Sequence, residues 1–225
     1  MIRPLAAGLL RRLAHPLRHW RFTLSLWLAV AAVAAGVTIW ETVLKERFVP
    51  RRWGVVEPGM IYRSGMLSEH VVEETLTRHG IRVIVSLVNE EYGRADQNAE
   101  RRVADKLGIE RLVFPLDGDG TGEVDVYAQA VAAIDRARKA GRPVLVHCVA
   151  GTNRTGGVIA VYRLLVQGKR PAQAYAEMRH YRWDPRDNPD LLKFLNDHMG
   201  ELARQLADMG VIGQVPDPLP QLGPK

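Results

Sequence analysis

Hydrophobic residues fall into three kinds of pattern along this chain. One is a single unbroken block: Phe22 to Trp40, FTLSLWLAVAAVAAGVTIW, carries no charge. As a helix it spans roughly 28 Å at about 1.5 Å per residue, close to a bilayer core. A second kind is short, β-branched and nearly continuous, as in IRVIVSLV at 81–88, ERLVFPL at 110–116 and RPVLVHC at 142–148. Such runs predict strands covered on both faces. The third recurs at helical spacing, as in 124–140 with Val124, Tyr127, Val131 and Ile134, where one face meets a core.

Punctuation fills in the remainder. GMIYRSG at 59–65 reads as a short strand turning at Gly65, followed by a helix capped by Ser68 and running to Arg78. Further helices are predicted over 97–107, 156–167, 171–181 and 189–209, the last introduced by Asn188 in RWDPRDN. Strands alternating with helices predict an α/β fold, a central and mainly parallel sheet with helices on both faces. The predicted organisation is a basic tail at 1–21, a transmembrane helix at 22–40, a juxtamembrane linker at 41–53, one domain at 54–210, and a proline-rich tail at 211–225 expected to lack order.

Trp20, Trp27 and Trp40 suit interfacial anchoring of the block, and Arg11, Arg12, Arg18 and Arg21 form a basic flank. A cleavable signal is the main rival, since Ala32 to Ala34 resembles a cleavage site; the long charged start and the continuing apolar run count against it. A buried helix fits less well, because the domain behind has its own complete pattern. Lys45, Arg47, Arg51 and Arg52 balance the four arginines before the block. Arg3 and the terminal amine tilt the expectation towards a single-pass membrane protein with its domain on the extracytoplasmic, periplasmic side. The formal charge of +6 and pI near 9.7 suit membrane headgroups, phosphorylated substrates or nucleic acid alike. No nucleic-acid partner is expected once the chemistry below is added.

One cysteine in 225 residues excludes an internal disulfide framework and a multi-thiolate zinc site, leaving buried filler or nucleophile. Its position decides between them. In LVHCVAGTNRTGG, 145–157, Cys148 ends a strand and a helix follows, so the segment between them lies where α/β sheets bind ligands. Free amides and the helix dipole favour an anion there. Gly151 lets the N–H groups of Val149, Ala150, Gly151, Thr152 and Asn153 converge, and Arg154 can grip two phosphate oxygens with its planar fork. The same field favours a thiolate, with Thr155 able to donate its hydroxyl to the sulfur. Cys148 is then a nucleophile aimed at a bound phosphate. No metal or cofactor is expected, since amides and Arg154 neutralise the charge.

The spacing Cys148-x5-Arg154-Thr155 preceded by His147 resembles the signature of the cysteine-dependent protein tyrosine phosphatases, especially the dual-specificity branch in its atypical, bacterial form. The resemblance spans residues 54 to about 200. It implies hydrolysis of phosphotyrosine, with phosphoserine or phosphothreonine as further substrates, through a phosphocysteine intermediate. It also implies a general acid about thirty residues before the cysteine, for which PLDGDGTG offers Asp117 and Asp119. Asp117 is favoured, as it follows the strand directly. YRSG at 62–65 resembles the opening strand of the atypical members, with Arg63 a candidate substrate contact. His147 is expected to make a supporting hydrogen bond, and one of Glu90, Glu91 and Glu100 to orient Arg154. His180 and His198 read as helix-surface residues, and HYRWDPRDNPD as a groove border or a capping segment. Relatives that act on phosphoinositides place lysines inside the loop, and 149–153 has none. A phospholipid substrate remains the alternative within the same chemistry; a sulfurtransferase of rhodanese type and an inactive phosphate-binding adaptor are more distant ones.

Overall fold

The computed structural model describes residues 10–40 and 45–224, with side chains at 23–40, 45 and 48–224. The basic tail predicted at 1–21 lies outside the described side chains. By internal contacts the chain divides into two units, Met1–Glu46 and Arg47–Lys225. In the first, helix α1 (Leu10–Ile39) presents an apolar surface, and Leu24, Leu26, Trp27, Leu28, Val33 and Trp40 are all exposed. Among the described residues no helix is long and apolar enough to cross a membrane, so the membrane-spanning helix expected at 22–40 finds no support there. A short helix, α2 (Lys45–Phe48), spans the division between the units.

The second unit is built on a five-stranded sheet in the order β1-β2-β5-β3-β4, formed by β1 (Gly54–Glu57), β2 (Ile61–Gly65), β3 (Val83–Ser86), β4 (Glu110–Val113) and β5 (Val144–Cys148). Only the β1–β2 pairing is antiparallel. Side chains alternate across a strand, and the two faces are filled accordingly. Val83 and Val85 of β3 and Val144 and Val146 of β5 enter the larger core cluster, with α5 (Val124–Lys139), α6 (Asn153–Val161), α7 (Pro171–His180) and α8 (Pro189–Asp208). Ile84 and Leu145 point the other way, against α3 (Val72–Arg78) and α4 (Ala95–Leu107). Burying a side chain of this size is worth roughly 1.5–3 kcal/mol. This explains why the central strands read as continuous apolar runs: both faces are covered.

Four local readings change. Strand β1 was not predicted, because four residues with Val55 exposed offer too little alternation to register. Ser68 starts its helix through its carbonyl, which accepts the Val71 and Val72 N–H groups, not through a hydroxyl cap. Helix α6 begins at Asn153 rather than at Gly156, and runs on into a π-helical turn at Tyr162–Val166. The C-terminal tail is held in place: Leu222 is buried, and its N–H and carbonyl both bond the side chain of Asn196 on α8.

Candidate active site

Strand β5 lies between β2 and β3 and brings Cys148 to the C-terminal edge of the sheet, opposite Gly65 in the register. The loop from Cys148 to Thr152 leads into the first turn of α6, which contains Arg154 and Thr155. Three successive carbonyls of this loop are taken from behind. Val149 O accepts from the Met66 N–H at 3.1 Å, Ala150 O from Arg52 Nη1 at 2.6 Å, and Gly151 O from Arg63 Nη2 at 2.8 Å. In a trans peptide the C=O and the following N–H point in opposite directions. The N–H groups of Ala150, Gly151 and Thr152 are therefore turned to the other side, and that of Gly151 donates to Cys148 Sγ at 3.1 Å.

Gly151 has φ 73°, and a Cβ there would fall 2.5 Å from Gly65 N. A Cβ on Gly65 would in turn fall 2.9 Å from Val149 O. The strand YRSG thus lies directly against the cysteine loop, and its glycine is part of the site's construction. Arg63, considered above as a substrate contact, is fully buried, stacks on Tyr181 at 3.8 Å and braces the loop. Its guanidinium is spent on the loop and on Tyr181 rather than presented at the surface. Burial pushes its pKa down to about 10, against the opposing pull of Glu177, Tyr181 and Cys148.

Burial opposes ionisation of Cys148, yet the thiol's pKa is lowered on balance by Thr155, the Arg154 guanidinium and the Gly151 N–H. The Thr155 hydroxyl is buried and makes no other hydrogen bond among the described residues. Arg154 is oriented by main chain: Nη1 donates to Leu87 O and Leu116 O, each at 3.4 Å, and its buried Nε has no partner among the described residues. None of the three glutamates proposed to orient it makes a hydrogen bond to it.

Glu100 has a different task. Its carboxylate lies 3.0 Å from His147 Nε2, both side chains are 1% exposed, and Arg111 Nε holds the other oxygen at 3.2 Å. Glu90 meets Arg111 on its outer side. Burial disfavours charge on both members of the pair, but each partner outweighs it, so the His147 pKa is raised and the Glu100 pKa is lowered. His147 is thus paired with a buried carboxylate that the sequence did not single out for this purpose.

The second loop, Asp117 to Gly122, follows β4. Asp119 accepts from Thr121 N at 2.9 Å and Thr121 Oγ1 at 2.8 Å, a local Asx turn. The exposed Asp117 carboxylate has no hydrogen-bond donor among the described residues; only its backbone is engaged, with Thr121 and Gly120. The loop is tied down by Tyr127 Oη on Gly120 O, by Asn188 Nδ2 on Asp119 O, and by Asn153 Nδ2 on Gly118 O at 3.4 Å. In HYRWDPRDNPD the capping role is the one seen: Asn188 Oδ1 accepts the Leu191 N–H and Trp183 is buried in the core.

Arg52, Tyr127 and the Glu100–His147 pairing were not assigned to the site from sequence, and Gly65, quoted within YRSG, was read only as a turn. Arg52 and Tyr127 belong to no motif, and the Arg51-Arg52 pair reads as linker charge. Here Arg51 O accepts the Gly65 N–H at 2.7 Å and Trp53 stacks on Tyr62, so the end of the predicted linker is part of the folded unit.

Comparison with known proteins agrees with this geometry. The family model described as dual specificity phosphatase, catalytic domain matches residues 66–200. Dual specificity protein phosphatase TpbA of Pseudomonas aeruginosa is 29% identical over 120 residues, covering 53% of this chain and 50% of its own. The chain thus spans about half the length of the curated relatives it matches. A crystal structure of P. aeruginosa TpbA in complex with pTyr superposes with a TM-score of 0.55 at 22% identity, covering 72% of this chain and 98% of that one. The core catalytic domain of the PP-IP phosphatase SIW14 from S. cerevisiae gives 0.56 at 22%, covering 76% and 97%. These structures share the fold. With the family model matched across β3, β4 and β5, the cysteine loop and α6, the chain belongs to the dual-specificity phosphatase catalytic-domain family.

Proposed function

We propose that this chain is a cysteine-dependent phosphatase that hydrolyses phosphotyrosine, together with phosphoserine or phosphothreonine, through a phosphocysteine intermediate. The observation that supports it most is the cysteine loop itself: a sulfur receiving an amide N–H, with Arg154 beside it, in a turn whose Val149, Ala150 and Gly151 carbonyls are drawn outward. The names of the relatives point to the same substrate class. The Cys148 thiolate attacks phosphorus, forming the S–P bond as the P–O bond to the leaving group breaks. Arg154 and the loop amides hold the three non-bridging oxygens. Asp117 gives its proton to the leaving oxygen, and as carboxylate it then takes a proton from the water that cleaves the S–P bond. Thr155 eases departure of the sulfur by donating to it.

The test is turnover by the full chain on phosphotyrosine, phosphoserine and phosphothreonine peptides and on a phospholipid monoester. Cys148→Ser should lower peptide turnover by at least about a thousandfold. A serine variant that keeps a tenth of the activity, or a clear preference for the lipid, overturns this reading.

The same proposal includes tethering by the 22–40 segment, with the domain on the extracytoplasmic side. No described helix is long and apolar enough to cross a membrane; what favours a tether is that Leu24, Leu26, Trp27, Leu28 and Val33 expose a contiguous apolar surface that lipid or protein would cover. A reporter active on one side of the membrane, fused after Lys225, tests this; signal on the cytoplasmic side, or recovery of the chain in the soluble fraction, refutes it.

A further inference from the structure

The cysteine loop is braced by residues that precede the family match at 66–200. Arg52 is the most instructive of them. Its guanidinium donates to Ala150 O at 2.6 Å, across 98 positions of sequence. The peptide whose C=O it holds is the one whose N–H belongs to Gly151, and that N–H donates to Cys148 Sγ at 3.1 Å. One rigid plane therefore has the arginine at one end and the nucleophile at the other. Resting on the phosphatase reading above, we propose that Arg52 is a positioning residue of the catalytic centre, holding the Ala150–Gly151 peptide so that its N–H faces the Cys148 sulfur and the bound phosphate.

Two further observations support this. Arg52 has φ 48°, a left-handed conformation uncommon for a residue with a side chain. Such a conformation persists where its surroundings over-determine it, and it tends to occur where geometry is being enforced. Next to it, Arg51 O accepts the Gly65 N–H at 2.7 Å, fixing this turn against the strand that backs the loop. Glycine would relieve the backbone strain and remove the guanidinium in one step, so it separates stability from site geometry.

The other groups facing the sulfur are Arg154 and Thr155 from α6, His147 of β5 with Glu100 of α4 behind it, Arg63 of β2, and Tyr127 of α5. The Arg52 variants leave each of these residues in place. Loss of the brace should raise the pH at which Cys148 becomes reactive and weaken anion binding, while the fold is retained.

The experiment uses the full chain in four forms: wild type, Arg52→Gly, Arg52→Met and Arg52→Lys. Three quantities are measured: the thermal midpoint, the pH dependence of Cys148 alkylation by iodoacetamide, and inhibition of aryl phosphate turnover by vanadate. Arg52→Gly should keep the thermal midpoint, move the alkylation profile up by about one pH unit and weaken vanadate about tenfold, the effect of losing one charge-assisted hydrogen bond. Arg52→Lys, which retains a cationic donor, should recover most of both. Should Arg52→Gly fold poorly, Arg52→Met preserves the packed stem and gives the same two readouts. Wild-type alkylation and vanadate inhibition in either folded variant overturns the proposal. If the wild type turns over no phosphate ester and ignores vanadate, the phosphatase reading fails instead, and the alkylation profile still reports the action of Arg52 on the sulfur.

Discussion

The two loops at the C-terminal edge of the sheet are held in different ways. The cysteine loop is gripped from outside itself: its carbonyls go to Arg52, Arg63 and Met66, and its sulfur to its own Gly151 N–H. The carboxylate loop is shaped largely from within, by the Asx turn of Asp119 and the short bonds between Asp117, Gly120 and Thr121. Its external ties, Tyr127, Asn153 and Asn188, bond its backbone, and the Asp117 carboxylate has no donor among the described residues. An anion pocket gains from being finished before the ligand arrives, because amides fixed in place need no reorganisation when charge develops. A general acid must hold a proton and release it, so hydrogen bonds that favour its ionised form would work against it.

The largest test of this difference exchanges carboxylates for amides. Asp117→Asn should lower kcat for an alkyl phosphate by about 10²-fold. Asp119→Asn should cost less than about tenfold, since the amide oxygen can still accept from Thr121. Vanadate inhibition should be unchanged in both, because the cysteine loop does not depend on either side chain. Equal losses in the two variants would mean that the loop, and no single carboxylate in it, is what catalysis requires.

The next test concerns the buried ion pair behind the cysteine loop. His147 has its pKa raised from an ordinary value near 6.5, so its contribution to stability is full below that value and is lost as pH rises through the raised one. Glu100 has its pKa lowered from near 4.5, so its contribution is present above that value and is lost as pH falls through the lowered one. The pair therefore stabilises the fold most between those two ordinary values. In that window Glu100→Gln should cost about 3 kcal/mol, the scale of breaking a buried pair. The cost should shrink towards alkaline pH as His147 loses its proton. Denaturant melts across the range would show this, and a cost independent of pH would mean that the pair is not ionised.

The fold and the centre of the site were legible for one reason: both depend on short-range pattern. Strand β3 and strand β5 are continuous runs because both faces are buried, and the cysteine, glycine and arginine of the loop lie within seven residues of one another. Arg52 on Ala150 and Glu100 on His147 were not legible, because a contact across many tens of residues leaves no local periodicity. The early start of α6 was hidden as well: the predicted helix opens at Gly156, whereas Asn153, Arg154 and Thr155, read as part of the anion loop, already form its first turn. The proline-rich composition of the tail, for its part, gave no hint that Leu222 would be anchored by Asn196.

The smallest expected effect tests whether the loops are independent. Asn188 does two things with one side chain: Oδ1 caps α8 through the Leu191 N–H, and Nδ2 holds Asp119 O in the carboxylate loop. Asn188→Ala removes both and should cost about 1 kcal/mol of stability, the usual value of a helix cap. It should also lower kcat about threefold, or roughly 0.6 kcal/mol of barrier, as the loop holding Asp117 loosens. Asn188→Asp keeps the cap acceptor and removes the donor, so it should recover the stability and leave kcat low. In neither variant should vanadate bind more weakly, since the braces on Val149, Ala150 and Gly151 do not pass through Asn188. If vanadate affinity instead falls in step with kcat, the bond from Asn153 to Gly118 couples the two loops, and the pocket and the acid are one unit.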